Sequence, residues 1–252
     1  MMIDSHIHLA NKQYEEPEKI IKEMDERNLE GMLLIGCDED EIKRVIKMVK
    51  PENKVWAAIG YHPIEFKNVT NELLESLKEQ LNEKNVIALG EIGLDYHWYP
   101  EKPIEQSILF EKQLQIAKEL DIPVVIHSRD ALSETYDILK KYAPLKGVIH
   151  SFSGNAQEAK EFIDLGLLIG ITGPITFKNE INKKEVAKEI DLEYLLIETD
   201  GPYLTPVPFR GQLNQPEYVQ YVAQEIANQK NVDINTVIKE TTNNFKRVFL
   251  GE

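Results

Sequence analysis

The chain has 252 residues, 42% of them hydrophobic and 29% charged, with one cysteine and a formal net charge of −14. That length allows one large core, while the lone Cys37 excludes an internal disulfide and an all-thiolate zinc or iron-sulfur centre. The acidity excludes duplex binding through a general cationic face, since that affinity comes from lysines and arginines displacing counterions, so any nucleic-acid contact must be local. No apolar run is long enough to cross a bilayer, and Met1 leads directly to Asp4 and His6 without a basic and then apolar leader. A cytoplasmic protein with no membrane partner is expected.

Val, Ile and Leu-rich segments alternate with amphipathic stretches through eight rounds. The predicted strands are Met2 to Leu9, Gly31 to Cys37, Val55 to Tyr61, Val86 to Ile92, Pro123 to His127, Gly147 to Ser151, Leu167 to Thr172 and Tyr194 to Thr199. Between them, Leu73, Leu74, Leu77 and Leu81 share one helical stripe, and Leu109, Phe110, Leu114, Ala117 and Leu120 share another within Glu105 to Leu120. Apolar strands alternating with helices imply a parallel sheet covered on its outer face. Eight such units predict a (β/α)8 TIM barrel over residues 1–252 as a single domain. An open doubly wound sheet is the alternative, weakened because no glycine-rich fingerprint follows the first strand. Residues 233–250, with Val237, Ile238, Phe245, Val248 and Phe249 at helical spacing, predict an added C-terminal helix packed on the barrel.

Metal-type side chains recur at the carboxyl ends of these strands. His6 and His8 lie on the first, Glu91 on the fourth, His127 on the fifth, His150 on the sixth and Asp200 on the eighth. Residues i and i+2 of a strand share a face, so His6 and His8 can address one cation. In a barrel, all the strand ends ring one mouth. Singly, each histidine reads as a hydrogen-bonded rim residue and Asp200, before Gly201 and Pro202, as a turn former; together they predict one site. Four imidazoles and two carboxylates exceed what one tetrahedral ion accepts, so two divalent ions are expected, with zinc, manganese or magnesium as candidates. Glu91, with two oxygens, is the natural bridge, and Asp200 is the candidate to take the proton of a metal-activated water. Cys37 reads as a buried thiol at a strand end.

The matching stretches are DSHIH at the start, GYHP at 60–63, GEIGLDY at 90–96, IHSRDA at 126–131, HSFSG at 150–154, TFKN at 176–179 and ETDGPYLTPVPFRGQLNQP at 198–216. By these the chain resembles, from end to end, the TatD-type metal-dependent deoxyribonucleases, a branch of the amidohydrolase superfamily. The resemblance implies a (β/α)8 fold, divalent metals and phosphodiester hydrolysis, often as an exonuclease on DNA. It also implies that His6, His8, Glu91 and Asp200 hold one ion and Glu91, His127 and His150 the other. Two positions depart from the family pattern: Ile64 follows His62 and Pro63 where many members have a second His, and Gln215 follows Asn214 where Glu is frequent.

His62, Arg129, Lys178 and Arg210 are the candidate substrate-binding residues, Arg210 being the best phosphate clamp because a guanidinium binds phosphate through two parallel hydrogen bonds. The loop Tyr96-His97-Trp98-Tyr99 offers aromatic faces on which bases of a single strand could stack, or a lid over the rim. His97 lies too far past the strand end to join the metal set. The expected activity is a deoxyribonuclease acting on DNA ends or single strands. The alternative is a two-metal amidohydrolase cleaving a carbon-nitrogen or ester bond of a small molecule, since fold and ligand set are shared across chemistries. A metal-loaded scaffold without turnover is disfavoured by the open, base-lined mouth.

Overall fold

The structure is a computed structural model that describes residues 1–50 and 53–252. The strands are β1 (Met2–Ile7), β2 (Leu29–Gly36), β3 (Val55–Ile59), β4 (Val86–Asp95), β5 (Val124–Arg129), β6 (Gly147–Ile149), β7 (Leu167–Ile171) and β8 (Leu195–Ile197). They form one eight-stranded sheet in chain order, and every paired neighbour is parallel. Consecutive apolar residues arise because both faces are covered: Met32, Leu33, Leu34 and Ile35 are all fully buried. Met32 and Leu34 join the layer under the helices, whereas Leu33 and Ile35 join Ala58, Ala88, Val125, Val148, Leu168 and Leu196 inside the barrel. The two-residue period of a strand thus fills the two cores separately.

Helices return the chain between strands, and their starts are written in the sequence. Asp38 accepts from the Glu41 amide at 2.7 Å to cap Glu39–Met48, and Asn155 with Glu158 forms a reciprocal capping box on Ala156–Asp164. The C-terminal helix Ile234–Phe245 runs into a π-helical turn, Lys246–Leu250. Its Phe245 is fully buried and Phe249 nearly so. Both pack with the barrel-interior residues, Phe245 standing 5.3 Å from the Trp56 ring. The predicted added helix is therefore the floor of the barrel.

The seam between β8 and β1 is held differently from the other strand pairs. Among the described residues one isolated bridge, Ile7 with Gly201, joins the strands, and side-chain and backbone hydrogen bonds around it add to the seam. Ser5 Oγ donates to Ile197 O at 3.0 Å, while Asp4 accepts from the Thr199 amide at 2.9 Å and the Thr199 hydroxyl at 2.5 Å. The Asp200 amide donates to His6 O at 3.0 Å and the His8 amide to Gly201 O at 2.8 Å. This places His6, His8 and Asp200 side by side.

Strand ends differ from expectation at both extremes. β1, β6 and β8 stop at Ile7, Ile149 and Ile197, so His8, His150 and Asp200 stand just beyond the last paired residue. β4 instead continues to Asp95, because its pairing with β5 extends to Arg129 and because Gln106 clamps Asp95, accepting from its amide at 2.7 Å and donating to its carbonyl at 2.9 Å. Among the described residues, no helix is long and apolar enough to cross a membrane.

Candidate metal centre

Four donor atoms converge at the barrel mouth. His6 Nε2 lies 3.3 Å from His8 Nε2, 3.6 Å from Glu91 Oε2 and 3.7 Å from Asp200 Oδ1; His8 Nε2 lies 3.6 and 3.4 Å from the same two oxygens. Donors about 2.0–2.1 Å from a tetrahedral ion stand about 3.4 Å apart, close to these five separations; His6, His8 and Asp200 form one group with all ligand atoms within 4.8 Å, and Glu91 groups with His6 and His150. Asp200 is carried in the left-handed region, at φ 56°, which an aspartate tolerates better than most residues.

Glu91 divides its oxygens. Oε2 faces His6 and His8, while Oε1 lies 2.6 Å from His127 Nδ1. His150 brings Nε2 to 3.6 Å from Asp200 Oδ1, and its ring stacks on His6 with centroids 3.5 Å apart. The groups whose candidate ligand atoms all fall within 4.8 Å are His6, Glu91 and His150; His6, His8 and Asp200; His8, Cys37 and Glu41; and His62, Asp95 and His127, among the described residues. Glu91, His127 and His150 are not one such group. Glu91 is instead shared between the near contact to His127 and the grouping with His150.

The electrostatics suit cations. Burial opposes ionisation of Glu91, yet the adjacent His127 charge and hydrogen bonds from His127 and His6 hold its carboxyl well below the usual range. Asp200 is likewise held down against burial, by His150 and His8. Burial disfavours charge on His127 and His150, but Glu91 and Asp95 outweigh it for the first, and Glu198 and Asp200 for the second, pushing both up to about 9. The field that draws a proton onto these rings also draws a divalent cation.

His62 joins the cluster, its ring 4.4 Å from that of His127. Its Nδ1 accepts from the Ile64 amide at 3.3 Å, at the start of the 3-10 turn Pro63–Lys67. Burial and the His127 charge push His62 down to about 3, so the ring is neutral and carries its proton on Nε2 as a donor. Arg129, Lys178 and Arg210 are exposed, and none is in hydrogen-bond or ion-pair contact with the cluster among the described residues. Arg210 lies over the Phe177 ring at 4.1 Å, next to Lys178. In the aromatic loop, Trp98 is 62% exposed with the Arg129 guanidinium 6.0 Å from its ring, whereas Tyr99 packs on Phe66 and Tyr96 on the core. His97 stands apart from the cluster, 3.4 Å from Asp130.

Several neighbours of the site were not expected from sequence. Cys37 is half-buried, and its thiol donates to Glu91 Oε2 at 3.6 Å. Glu41 accepts from the Cys37 amide at 3.2 Å. Asp95 and Glu198 hold His127 and His150, at 3.1 and 2.9 Å. The available signal was their place in the same strand-end segments as Glu91 and Asp200.

A family model described as TatD related DNase matches residues 3–250. The chain belongs to the TatD family. It is 40% identical over 252 residues, covering 99% of both chains, to a protein of Bacillus subtilis (strain 168) called uncharacterized metal-dependent hydrolase YabD. A protein of Pantoea ananatis (strain LMG 20103) called 3'-5' ssDNA/RNA exonuclease TatD is 29% identical, with 98% of this chain and 99% of that one covered. Among solved structures, YJJV, a TatD homolog from Escherichia coli K12, superimposes with a TM-score of 0.93 at 29% identity, covering 99% of this chain and 98% of that chain. TatD-family membership identifies the protein as a metal-dependent hydrolase with a (β/α)8 TIM barrel fold.

Proposed function

We propose that this TatD-family hydrolase cleaves phosphodiester bonds as a deoxyribonuclease working from DNA ends or single strands. The observation that carries the reading is the split of Glu91, one oxygen among His6 and His8 and the other on His127, which supports two neighbouring cation positions. His6, His8, Glu91 and Asp200 would hold one ion, and Glu91, His127 and His150 the other. When bound, the pair supplies charge stabilisation on phosphate oxygens and an acidified water.

The chain's own groups do the rest. Asp200, ionised and partly open to the mouth, would take a proton from the attacking water. A neutral His62 Nε2–H would donate to developing charge, the kind of contact that helps only where charge grows. Arg210, Lys178 and Arg129 offer the few cations that local contact to a strand end needs, and Trp98 a face on which a base can stack. The net charge of −14 fits end-directed action, because scanning a duplex would need a broad basic surface.

The test uses metal-stripped protein restored with magnesium, manganese or zinc and given end-labelled single-stranded DNA, beside Glu91→Ala and Asp200→Ala. Stepwise shortening that needs metal and both carboxylates is the expected result. Two bound ions with no cleavage of any nucleic acid would overturn it.

A further inference from the structure

Two carboxylates outside the proposed ligand set hold the two histidines assigned to the second ion, and they do so by opposite ring nitrogens. Asp95 Oδ2 is 3.1 Å from His127 Nε2, leaving Nδ1 against Glu91 at 2.6 Å. Glu198 Oε2 is 2.9 Å from His150 Nδ1, leaving Nε2 toward Asp200 at 3.6 Å. Neither carboxylate is free to do otherwise. Asp95 is 1% exposed; its Oδ1 accepts from the His97 and Trp98 amides at 3.0 and 3.2 Å, and Gln106 clamps its backbone. Glu198 is fully buried; its Oε2 also accepts from the Ser151 amide at 3.0 Å, and it fills the space where Gly170 has no side chain, a Cβ there falling 2.4 Å from Oε1. Glu198 Oε1 has no hydrogen-bond partner among the described residues.

A buried carboxylate with an unpaired oxygen is unfavourable unless positive charge balances it. Two divalent ions carry four positive charges, and Glu91, Asp200, Asp95 and Glu198 carry four negative ones with all the imidazoles neutral. The backbone support behind Glu198 is also anchored, because the buried Lys183 ammonium donates to the carbonyls of Ser151 and Phe152.

We propose that Asp95 and Glu198 are positioning residues for the second ion. Asp95 keeps the His127 proton on Nε2 so that Nδ1 is the donor, and Glu198 keeps the His150 proton on Nδ1 so that Nε2 is the donor. This rests on the two-ion reading above, but not on the choice of substrate. A carboxylate behind a metal-bound histidine fixes its tautomer and raises its basicity, and removing it costs about 10–100-fold in metal affinity.

The experiment titrates metal-free wild type, Glu198→Gln and Asp95→Asn with zinc against a chromophoric chelator, and records long-range 1H–15N correlations of the histidine rings in zinc-loaded wild type. Expected are two zinc ions per wild-type chain, a loss of about 10–100-fold in affinity for one of them in each variant with the other unchanged, and protons on His127 Nε2 and His150 Nδ1. Wild-type affinity for both ions in both variants, or the reverse tautomers, overturns the inference. Fewer than two zinc ions on wild type overturns the two-ion reading and this inference with it. The binding losses stand as support even where no DNA is cleaved, so failure of the substrate reading is read separately. If a variant does not fold, the wild-type ring-nitrogen spectrum decides alone.

Discussion

Replacing Gly170 by alanine probes the support behind His150 with one methyl group. Gly170 sits within β7, its carbonyl accepting from the Phe152 amide at 2.9 Å, and its backbone has an ordinary conformation, so the only obstacle to alanine is space. The added Cβ would lie 2.4 Å from Glu198 Oε1 and 2.5 Å from Cδ and Oε2, well inside any van der Waals contact. The end of a long side chain normally yields to such an intrusion. Here it is fully buried and fixed by His150 and the Ser151 amide, so yielding means breaking charge-assisted hydrogen bonds. Overpacking of this kind costs about 1–3 kcal/mol, and losing one such bond costs about as much again, giving roughly 3 kcal/mol in all. For a chain of this size that is a fall of roughly 6–12 °C in Tm. Calorimetry of the metal-free protein measures the fall, and chelator competition measures the accompanying loss of affinity for one zinc ion. A Tm within about a degree of wild type together with unchanged zinc binding would refute the reasoning, showing that Glu198 moves freely and does not hold His150.

Phe245→Ala should destabilise by about 3–5 kcal/mol in urea unfolding, because the ring is fully buried in the barrel floor against Trp56; a loss below about 1 kcal/mol would contradict that placement. Burial pulls Lys183 down from 10.5 to about 8, so between those values the unfolded chain binds the additional proton and stability rises with pH. Wild type should therefore gain about 2–3 kcal/mol on Lys183→Met from pH 7 to pH 10, and parallel unfolding curves at the two pH values would disprove the burial penalty. His62→Ala should lower kcat on the preferred substrate by about 10²-fold while zinc stoichiometry stays at the wild-type value; loss of an ion would move His62 into the ligand set.

The eight apolar segments, their alternation with helices, and the recurrence of His, Glu and Asp at strand ends were all legible in the linear sequence, because strand and helix periods are local properties. Barrel topology then brings His6, His8, Glu91, His127, His150 and Asp200 to one mouth, since parallel strands share their carboxyl ends. Which nitrogen of His127 faces Glu91, and which residue stands behind it, was not legible. Asp95 lies beyond the strand end expected at Ile92, and only the extended pairing of β4 with β5 sets it against the ring. Glu198 was not singled out in the sequence, and its role shows only once the Gly170 notch and the His150 ring are placed around it. Cys37 reads as a core thiol until β2 and β4 carry it to Glu91, and Phe245 as one more apolar helix residue until it meets Trp56. The sequence by itself determined which elements form and which chemistry gathers at one end. Only the tertiary structure decided which buried charges oppose which rings, because those pairings depend on register and side-chain direction between strands far apart in the chain.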